Sequence, residues 1–300
     1  MVNVTAAPSF LGRLRTYPSG IVGALIIGSM VICGILAPIL PLKNPLALDL
    51  SQRLMPPSFE HLLGTDQAGR DMLSRIVWGS RESLVIAAGA VSFGALFGVT
   101  LGLLAGYMNG TVLEIVITRC FDVLFSIPLL VLAIALMGIL GTGPTVVGGF
   151  IIGIEVKLII LIGLSFTPAL GRLSYASALV EVKSDYVRAK RAQGAGWAEL
   201  TFVEILPNAI PSVIVQATLF IGVAIIVESS LSFVGLGVQP PTPSWGTMLA
   251  DARGYIASGE WWIAAFPGFA ICATVIGFNL LGDVFRDVLD PRAGAISSFV

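Results

Sequence analysis

The chain has 300 residues, of which 56% are hydrophobic and only 12% charged, and its mean hydropathy is +0.93. A soluble domain keeps about a quarter of its residues charged to face water, so this chain cannot dress such a surface and its solvent is largely lipid. A net charge of −1 excludes a nucleic-acid binder that works through a broad basic field.

A helix needs about 20 apolar residues to cross the hydrocarbon, because each residue rises about 1.5 Å. Six segments qualify, at roughly 21–40, 82–106, 119–141, 148–171, 209–234 and 263–283. The first follows Arg13 and Arg15 as a signal peptide would, but Pro38 stands where a cleavage site would fall, so it is read as an uncleaved span. Lysine and arginine collect on the inner side when the N-terminus is cytoplasmic: Arg13, Arg15, Arg119, Arg172, Lys183, Arg188, Lys190, Arg191, Arg286 and Arg292. The outer side receives Lys43, Arg53, Arg70, Arg75, Arg81 and Arg253, and in the first outer loop Asp49, Glu60, Asp66, Asp71 and Glu82 offset them. Both termini are therefore expected inside.

In that outer loop stands the sole histidine, His61, with no Cys or His at ligand spacing; it reads as a surface or capping residue. Along the second span Gly94, Gly98, Gly102 and Gly106 recur every four residues, a small face that lets two helices approach closely. At the inner end of the third span Arg119 and Asp122 are spaced for a local ion pair, and Pro128 is expected to kink the helix. Cys33, Cys120 and Cys272 lie in apolar runs without CxxC spacing and read as small buried hydrophobes.

Between the fourth and fifth spans lies a long polar insert, about 172–207. Ser184 or Asp185 can cap a short helix that Gly194 ends in a left-handed turn, with Ala189 and Ala192 leaving one face small and open. A second short helix carries Trp197, Leu200, Val203 and Leu206 at three-residue spacing and is expected to end near Pro207. Such a pair suits a groove on a partner. In the fifth span Glu228 is either a gating or pathway residue or the partner in an interhelical hydrogen bond. Beyond it, Trp245, Tyr255, Trp261 and Trp262 fit an aromatic belt at the outer interface. The stiff stretch Gln239 to Pro243 (with Pro240, Pro241 and nearby Trp245) offers an exposed docking surface.

The run Tyr186 to Pro207, YVRAKRAQGAGWAELTFVEILP, resembles the loop of binding-protein-dependent ABC importer permeases. That family's pattern is Glu-Ala-Ala, three residues, Gly, and after a spacer a hydrophobic residue, Leu and Pro. Those places fall here on Arg188, Ala189 and Lys190, then Gly194, then Ile205, Leu206 and Pro207. Arg188 and Lys190 depart from the pattern. The segments His61 to Arg81, Glu228 to Leu249 and Asn279 to Arg292 resemble the dipeptide, oligopeptide and nickel branch of the family, and the likeness covers nearly the whole chain as its C-type subunit.

The resemblance implies an all-α polytopic membrane protein with six transmembrane helices and the type I importer permease fold, like the methionine-importer permease. It implies a tail over 1–20, a first span and outer loop over 21–81, a core over 82–285 and a cytoplasmic tail over 286–300. In the coupling loop it assigns Arg188, Ala189, Lys190, Ala192, Gly194, Ala195, Leu206 and Pro207 to contact with an ATPase. Implied partners are a homologous B-type permease, two ATP-binding cassette subunits holding ATP and Mg, an extracytoplasmic solute-binding protein and the lipid of the bacterial inner membrane. Between Gly143 and Pro168 the chain is roughly ten residues longer than that branch, and the added Glu155 and Lys157 are expected near the headgroups.

No GxxxxGK[ST] loop, HExxH or GxSxG occurs, so catalysis, a resident cofactor and a metal are not expected in the chain itself. Import of di- or oligopeptides is the leading reading and import of nickel or a nickel chelate the alternative. An ion-driven secondary transporter would show paired Gly/Pro-interrupted half-spans and would leave the loop unexplained.

Overall fold

A computed structural model describes residues 17–255 and 258–289. Arg13, Arg15, Arg292 and most of both expected tails lie outside the described residues. The helices are α1 (Pro18–Leu36), α2 (Met72–Tyr107), α3 (Val112–Ser126), α4 (Leu129–Leu140), α5 (Ile154–Glu181), α6 (Asp185–Ala192), α7 (Trp197–Phe233), α8 (Trp245–Ala252) and α9 (Trp262–Leu289). Five of them are long and apolar enough to cross a membrane, and the bent pair α3–α4 makes a sixth crossing if it counts as one span. The centre of the bundle is α2 laid along α5; α7 crosses both, α9 packs on α7, and α1 lies outermost against α9 and α2.

The expected third span is broken. Pro128 stands at the junction as the residue before α4, and the two halves meet at 91°. Proline removes an N–H and crowds the preceding turn, so the ladder stops at Ser126 and restarts at Leu129. The expected fourth span starts late for a different reason. Thr145–Val147 pairs antiparallel with Phe150–Ile152 across Gly148 and Gly149, whose φ values of +57° and +87° suit a tight hairpin turn. Only at Ile154 does the chain enter α5.

That hairpin is anchored from below by Lys157, which is only 4% exposed. Its ammonium donates to the carbonyls of Leu140 (2.8 Å), Gly141 (2.9 Å) and Gly143 (2.6 Å) and to Thr145 Oγ1 (2.7 Å). Leu140 and Gly141 carry carbonyls at the end of α4, where the helix dipole also favours a cation, and Gly143 and Thr145 follow just beyond it. Lys157 is thus an internal C-terminal cap and not a headgroup-facing charge, while Glu155 stays half-exposed. Lys157→Met is expected to lower stability by about 2–3 kcal/mol, since it strands buried acceptors. Thermal melting in detergent and amide exchange across 141–153 would read the loss; an unchanged melt with unchanged protection would rule the cap out.

At the opposite edge of the same end, residues 43–71 fold into a compact cap over α2 and α8. Asp71 accepts from Ser74 N at 2.9 Å to start α2 and also holds His61 Nδ1 at 2.9 Å. Through its other ring nitrogen His61 contacts Gln52 Oε1 (2.7 Å) and Lys43 Nζ (3.2 Å). The histidine is 3% exposed, so the surface placement expected for it is corrected: it links three segments of the cap from inside.

The aromatic belt needs a similar correction. Trp245 is fully buried and donates from Nε1 to Ile76 O at 3.1 Å; Trp262 is buried and donates to Thr65 O at 3.1 Å. Each pins an outer segment to the bundle, and Trp261 is the exposed one of the three tryptophans. The cysteines are unpaired as expected but not buried: Cys120 and Cys272 are exposed and Cys33 is half-buried.

Candidate coupling and pathway sites

The segment that follows α5 is built by short-range chemistry. Ser184 sits at the cap position of α6, although its hydroxyl donates back to Glu181 O (2.6 Å) rather than forward into the helix. At the other end Gly194 has φ +92°, Gly194 N donates to Arg191 O (3.0 Å) and Ala195 N to Lys190 O (3.2 Å). This crossed pair of bonds is the Schellman stop, and it needs the left-handed residue that glycine supplies without strain.

Val187 anchors α6. It is fully buried among Leu103, Ala178, Leu200, Ile205 and Ala209, so one side chain ties the short helix to α2, α5 and α7. Lys190, one of the two departures from the family pattern, pairs with Glu204 at 3.1 Å and closes α6 against α7. Tyr186 donates to Glu181 Oε2 (2.7 Å) and accepts from Asn208 Nδ2 (2.8 Å). Partial burial first, and the hydrogen bond to Glu181 next, hold the Tyr186 hydroxyl above the ordinary tyrosine range. Arg191 stacks over the Tyr107 ring at 5.5 Å. What remains outward is Arg188, Ala189, Ala192 and Gly194, all exposed, with Asp185 beside Arg188 at 4.0 Å. The structure brings these sequence-predicted residues into one face and leaves Ala195 and Leu206 half-buried behind it.

The expected second short helix does not end at Pro207. A π turn over Leu200–Ile205 carries the chain past it, and α7 continues to Phe233. The widened turn shifts the hydrogen-bond register just where proline has no N–H to offer. It also changes which residues face in: Leu200, Thr201 and Ile205 are buried, while Trp197 and Val203 are exposed, so the three-residue spacing does not mark a single face.

Glu228 is fully buried on α7. Ser83 of α2 donates to its Oε2 at 3.1 Å, Ser232 to Oε1 at 2.8 Å and Ser229 to Oε2 at 3.4 Å. The interhelical hydrogen bond, one of the two roles open from sequence, is formed. Glu228→Ala is expected to cost about 1–3 kcal/mol in stability by stranding the Ser83 hydroxyl. Transport per folded molecule should stay near wild type; a folded, well-inserted variant without transport would make Glu228 a gate.

The stretch after α7 is partly a surface. Pro240 and Pro241 are exposed, Gln239 is half-buried with its amide donating to Gly235 O (3.1 Å) and Gly237 O (2.8 Å), and Pro243 and Trp245 are buried beneath. At the α6 end Arg119 meets Asp122 at 3.3 Å, the ion pair expected, and Arg172 joins the same carboxylate at 2.7 Å. The signals missed in sequence were Val187, the one branched aliphatic residue in a polar helix, and Glu204, which only the Lys190 pairing makes meaningful.

Five long apolar helices and a bent apolar pair, with a capped helix held outside one end of the bundle, make the architecture of a polytopic membrane protein. The fold is similar to a chain of the MetNI methionine ABC transporter in an inward-facing form, with a TM-score of 0.57, 22% identity, and coverage of 72% of this chain and 97% of that one. Residues 98–294 match the family described as binding-protein-dependent transport system inner membrane component, and the chain belongs to that family. It is accordingly a multi-pass inner membrane protein and the permease component of a transport system. It is 40% identical over 280 residues to the dipeptide transport system permease protein DppC of Alkalihalophilus pseudofirmus, covering 93% of this chain and 88% of that protein. It is also 40% identical over 285 residues to the probable D,D-dipeptide permease DdpC of Escherichia coli (95% and 91% covered). With the di/tripeptide permease DppC of Pseudomonas aeruginosa the figures are 41% over 276 residues, 90% and 87% covered.

Proposed function

We propose that this chain is one of two permease subunits in an ATP-driven importer of di- and oligopeptides, forming half of the pathway. The observation that carries the substrate class is identity near 40% along nine-tenths of the chain to relatives named for dipeptide transport. A homologous B-type permease completes the pathway, a solute-binding protein delivers the peptide outside, and two ATPase subunits bind ATP and Mg inside. The α6 end faces the cytoplasm, in keeping with Arg172, Lys183, Arg188, Lys190 and Arg191 gathered there. Both termini are then cytoplasmic. The stretch around Gln239, Pro240 and Pro241, with Trp245 supporting it from within, is offered to the binding protein.

Coupling runs through α6. Its open face of Arg188, Ala189, Ala192 and Gly194 seats in the ATPase, while Val187, Lys190, Ala195, Leu206 and Pro207 make the segment rigid enough to transmit a pull. Closure of the ATPases on ATP then shifts the permeases between inward-open and outward-open populations, by the difference in binding to the two forms. A Cβ added at Gly194 meets nothing within 4 Å, so a substitution there leaves the fold's packing intact and loads the outward face and the left-handed turn. Gly194→Val is expected to insert normally and lose most ATP-dependent uptake. Full uptake by that variant would detach the loop from coupling.

The substrate test is uptake in cells lacking only this chain, with labelled di-, tri- and pentapeptides and nickel side by side. Loss of peptide uptake, restored by the wild-type chain, supports the reading. Loss of nickel uptake alone moves the function to metal acquisition with the architecture unchanged.

A further inference from the structure

The cations at the outer end of the molecule find partners within the chain, with one exception. Arg70 and Arg75 share Asp66 and Asp251. Arg53 donates to the Tyr255 hydroxyl at 3.1 Å, and Arg253 lies over the Phe233 ring. Lys43 meets Glu60, and Lys157 is held by its cage of carbonyls. Arg81 is exposed, and among the described residues its guanidinium has neither an ion pair nor a hydrogen bond. Its neighbour Glu82 is half-buried and within electrostatic reach, but does not pair with it.

Arg81 stands at a cleft of ≈ 390 Å³ between α1 and α2. Every other side chain lining that cleft is apolar: Val31, Ile35 and Pro38 on the α1 side, and Leu84, Val85 and Ala88 on α2. Gly34 lets α1 rest on α2 here, since a Cβ on it would lie 3.0 Å from Ser80 Oγ and 3.3 Å from the Arg81 backbone. Charge and apolar lining are ordered along the helices. The apolar run of α2 begins just after Arg81, which puts the guanidinium at the edge of the hydrocarbon. Ala88 lies about 10 Å deeper on α2. Because α1 runs the opposite way, Val31 lies about one turn deeper than Gly34.

A cation at that depth needs an anion, and this chain does not supply one. A free anion would answer the charge and leave the furrow below it open; an acyl chain alone would fill the furrow and leave the charge. We propose that the cleft seats an anionic phospholipid of the outer leaflet. Its phosphate takes the fork of Arg81, a geometry that guanidinium matches with two parallel bonds. One acyl chain runs inward along Val31, Leu84, Val85 and Ala88. A net anionic headgroup is selected because a zwitterionic one brings its own cation to its phosphate. Placement in the outer leaflet rests on the orientation proposed above. The cleft and its unpaired charge are independent of which solute is carried.

The test uses the assembled transporter in detergent, titrated with dioleoyl-phosphatidylglycerol, with the retained lipid counted by native mass spectrometry. Arg81→Gln removes the charge, Ala88→Phe fills the furrow and keeps the charge, and Arg119→Gln removes a cation elsewhere. All three positions are exposed, so the packing of the bundle is left intact. Arg81→Gln is expected to weaken the tightest lipid site at least about tenfold, the worth of one charge-assisted hydrogen bond. Ala88→Phe should weaken it comparably, and Arg119→Gln should leave it as in wild type. Loss in Arg81→Gln without loss in Ala88→Phe, or equal loss in Arg119→Gln, means undirected attraction between charges and overturns the seat. Loss in Ala88→Phe alone overturns the phosphate contact. Unchanged binding in both cleft variants, as when a partner subunit covers α1 and α2, overturns the proposal outright. Displacement of the lipid by inorganic phosphate would make this a free-anion site, and equal retention of phosphatidylcholine would overturn the anionic headgroup.

Discussion

Asp66→Ala is expected to destabilise the protein by about 3–5 kcal/mol, the cost of leaving a buried charge without its partner. Asp66 is 2% exposed and sits between two arginines, themselves 7% (Arg70) and 2% (Arg75) exposed. Its Oδ2 accepts from Arg70 Nε at 2.6 Å and from Arg75 Nη1 at 2.9 Å, while Oδ1 accepts from the backbone of Ala68 (2.8 Å) and Arg70 (2.9 Å). The second carboxylate, Asp251 on α8, is farther off, at 3.3 Å from Arg70 and 3.5 Å from Arg75, and stands nearer water. Removing Asp66 therefore leaves two guanidinium groups to one distant, partly solvated acid, and frees the turn that its other oxygen organises.

The cluster's place in the fold says what should fail. It ties the cap over 43–71 to the start of α2 and to α8, so the cap should loosen before the helices do. Proteolysis within 43–71 and amide exchange there should rise ahead of global melting. Asp66→Leu combined with Arg70→Met and Arg75→Met should recover much of the loss, because a packed apolar cluster does without the desolvation of ions. A single Asp66→Ala variant that melts with wild type would mean water already reaches these charges.

Much of this architecture is readable in the residues because lipid imposes a simple rule. Long apolar runs must be helices, and the runs at 82–106 and 263–283 lie inside observed helices, while that at 209–234 overruns its helix by one residue. Where the reading failed, local polar chemistry had overruled hydropathy. Asp71 starts α2 ten residues before its apolar run, because the cap over 43–71 buries that first part in protein. The hairpin at Thr145–Ile152 is visible as Val-Val-Gly-Gly-Phe, a turn signal between β-formers, but it lies in an apolar stretch, and the span expected at 148–171 takes in its turn and second strand. The burial of His61, Trp245 and Lys157 escapes the sequence for a common reason. Each bonds to a partner outside its own helix or turn, Trp245 to distant Ile76 and the other two to residues 9 to 18 positions away, and no local pattern names such partners. In the α6 segment the opposite holds. Its stop, its open face and its glycine are set within a dozen residues, so the candidate site was more legible than the cap above it.

The glycines of α2 show how a pattern can be seen without its partner, and they carry the other large effect. Gly94, Gly98, Gly102 and Gly106 all point at α5, where the contact is mostly backbone. A Cβ at Gly94 would stand 2.9 Å from Gly163 O, and one at Gly98 would stand 2.5 Å from Thr167 O and 3.0 Å from Gly171 N. At Gly102 it would overlap Gly171 O and lie 3.1 Å from Gly171 Cα; at Gly106 it would lie 2.5 Å from the Ala178 Cβ. The opposing helix answers with its own glycines, since a Cβ on Gly163 would meet Ala90 O at 2.8 Å. None of these backbone atoms can swing aside as a side chain would. Even Gly102→Ala therefore pushes two helices apart along their shared length, and about 1–3 kcal/mol is expected, with Gly102→Leu well beyond that. Because membrane helices gain little from burial against each other, close van der Waals contact is what the interface has to lose. Gly138→Ala in α4 is the control: nothing lies within 4 Å of the added carbon, the site is exposed, and helix propensity alone favours alanine by up to about 1 kcal/mol. Melting in detergent should thus move in opposite directions for the two alanine variants. If Gly102→Ala melts at or above the wild-type temperature, α2 and α5 have room between them, and the glycine face does not set their approach.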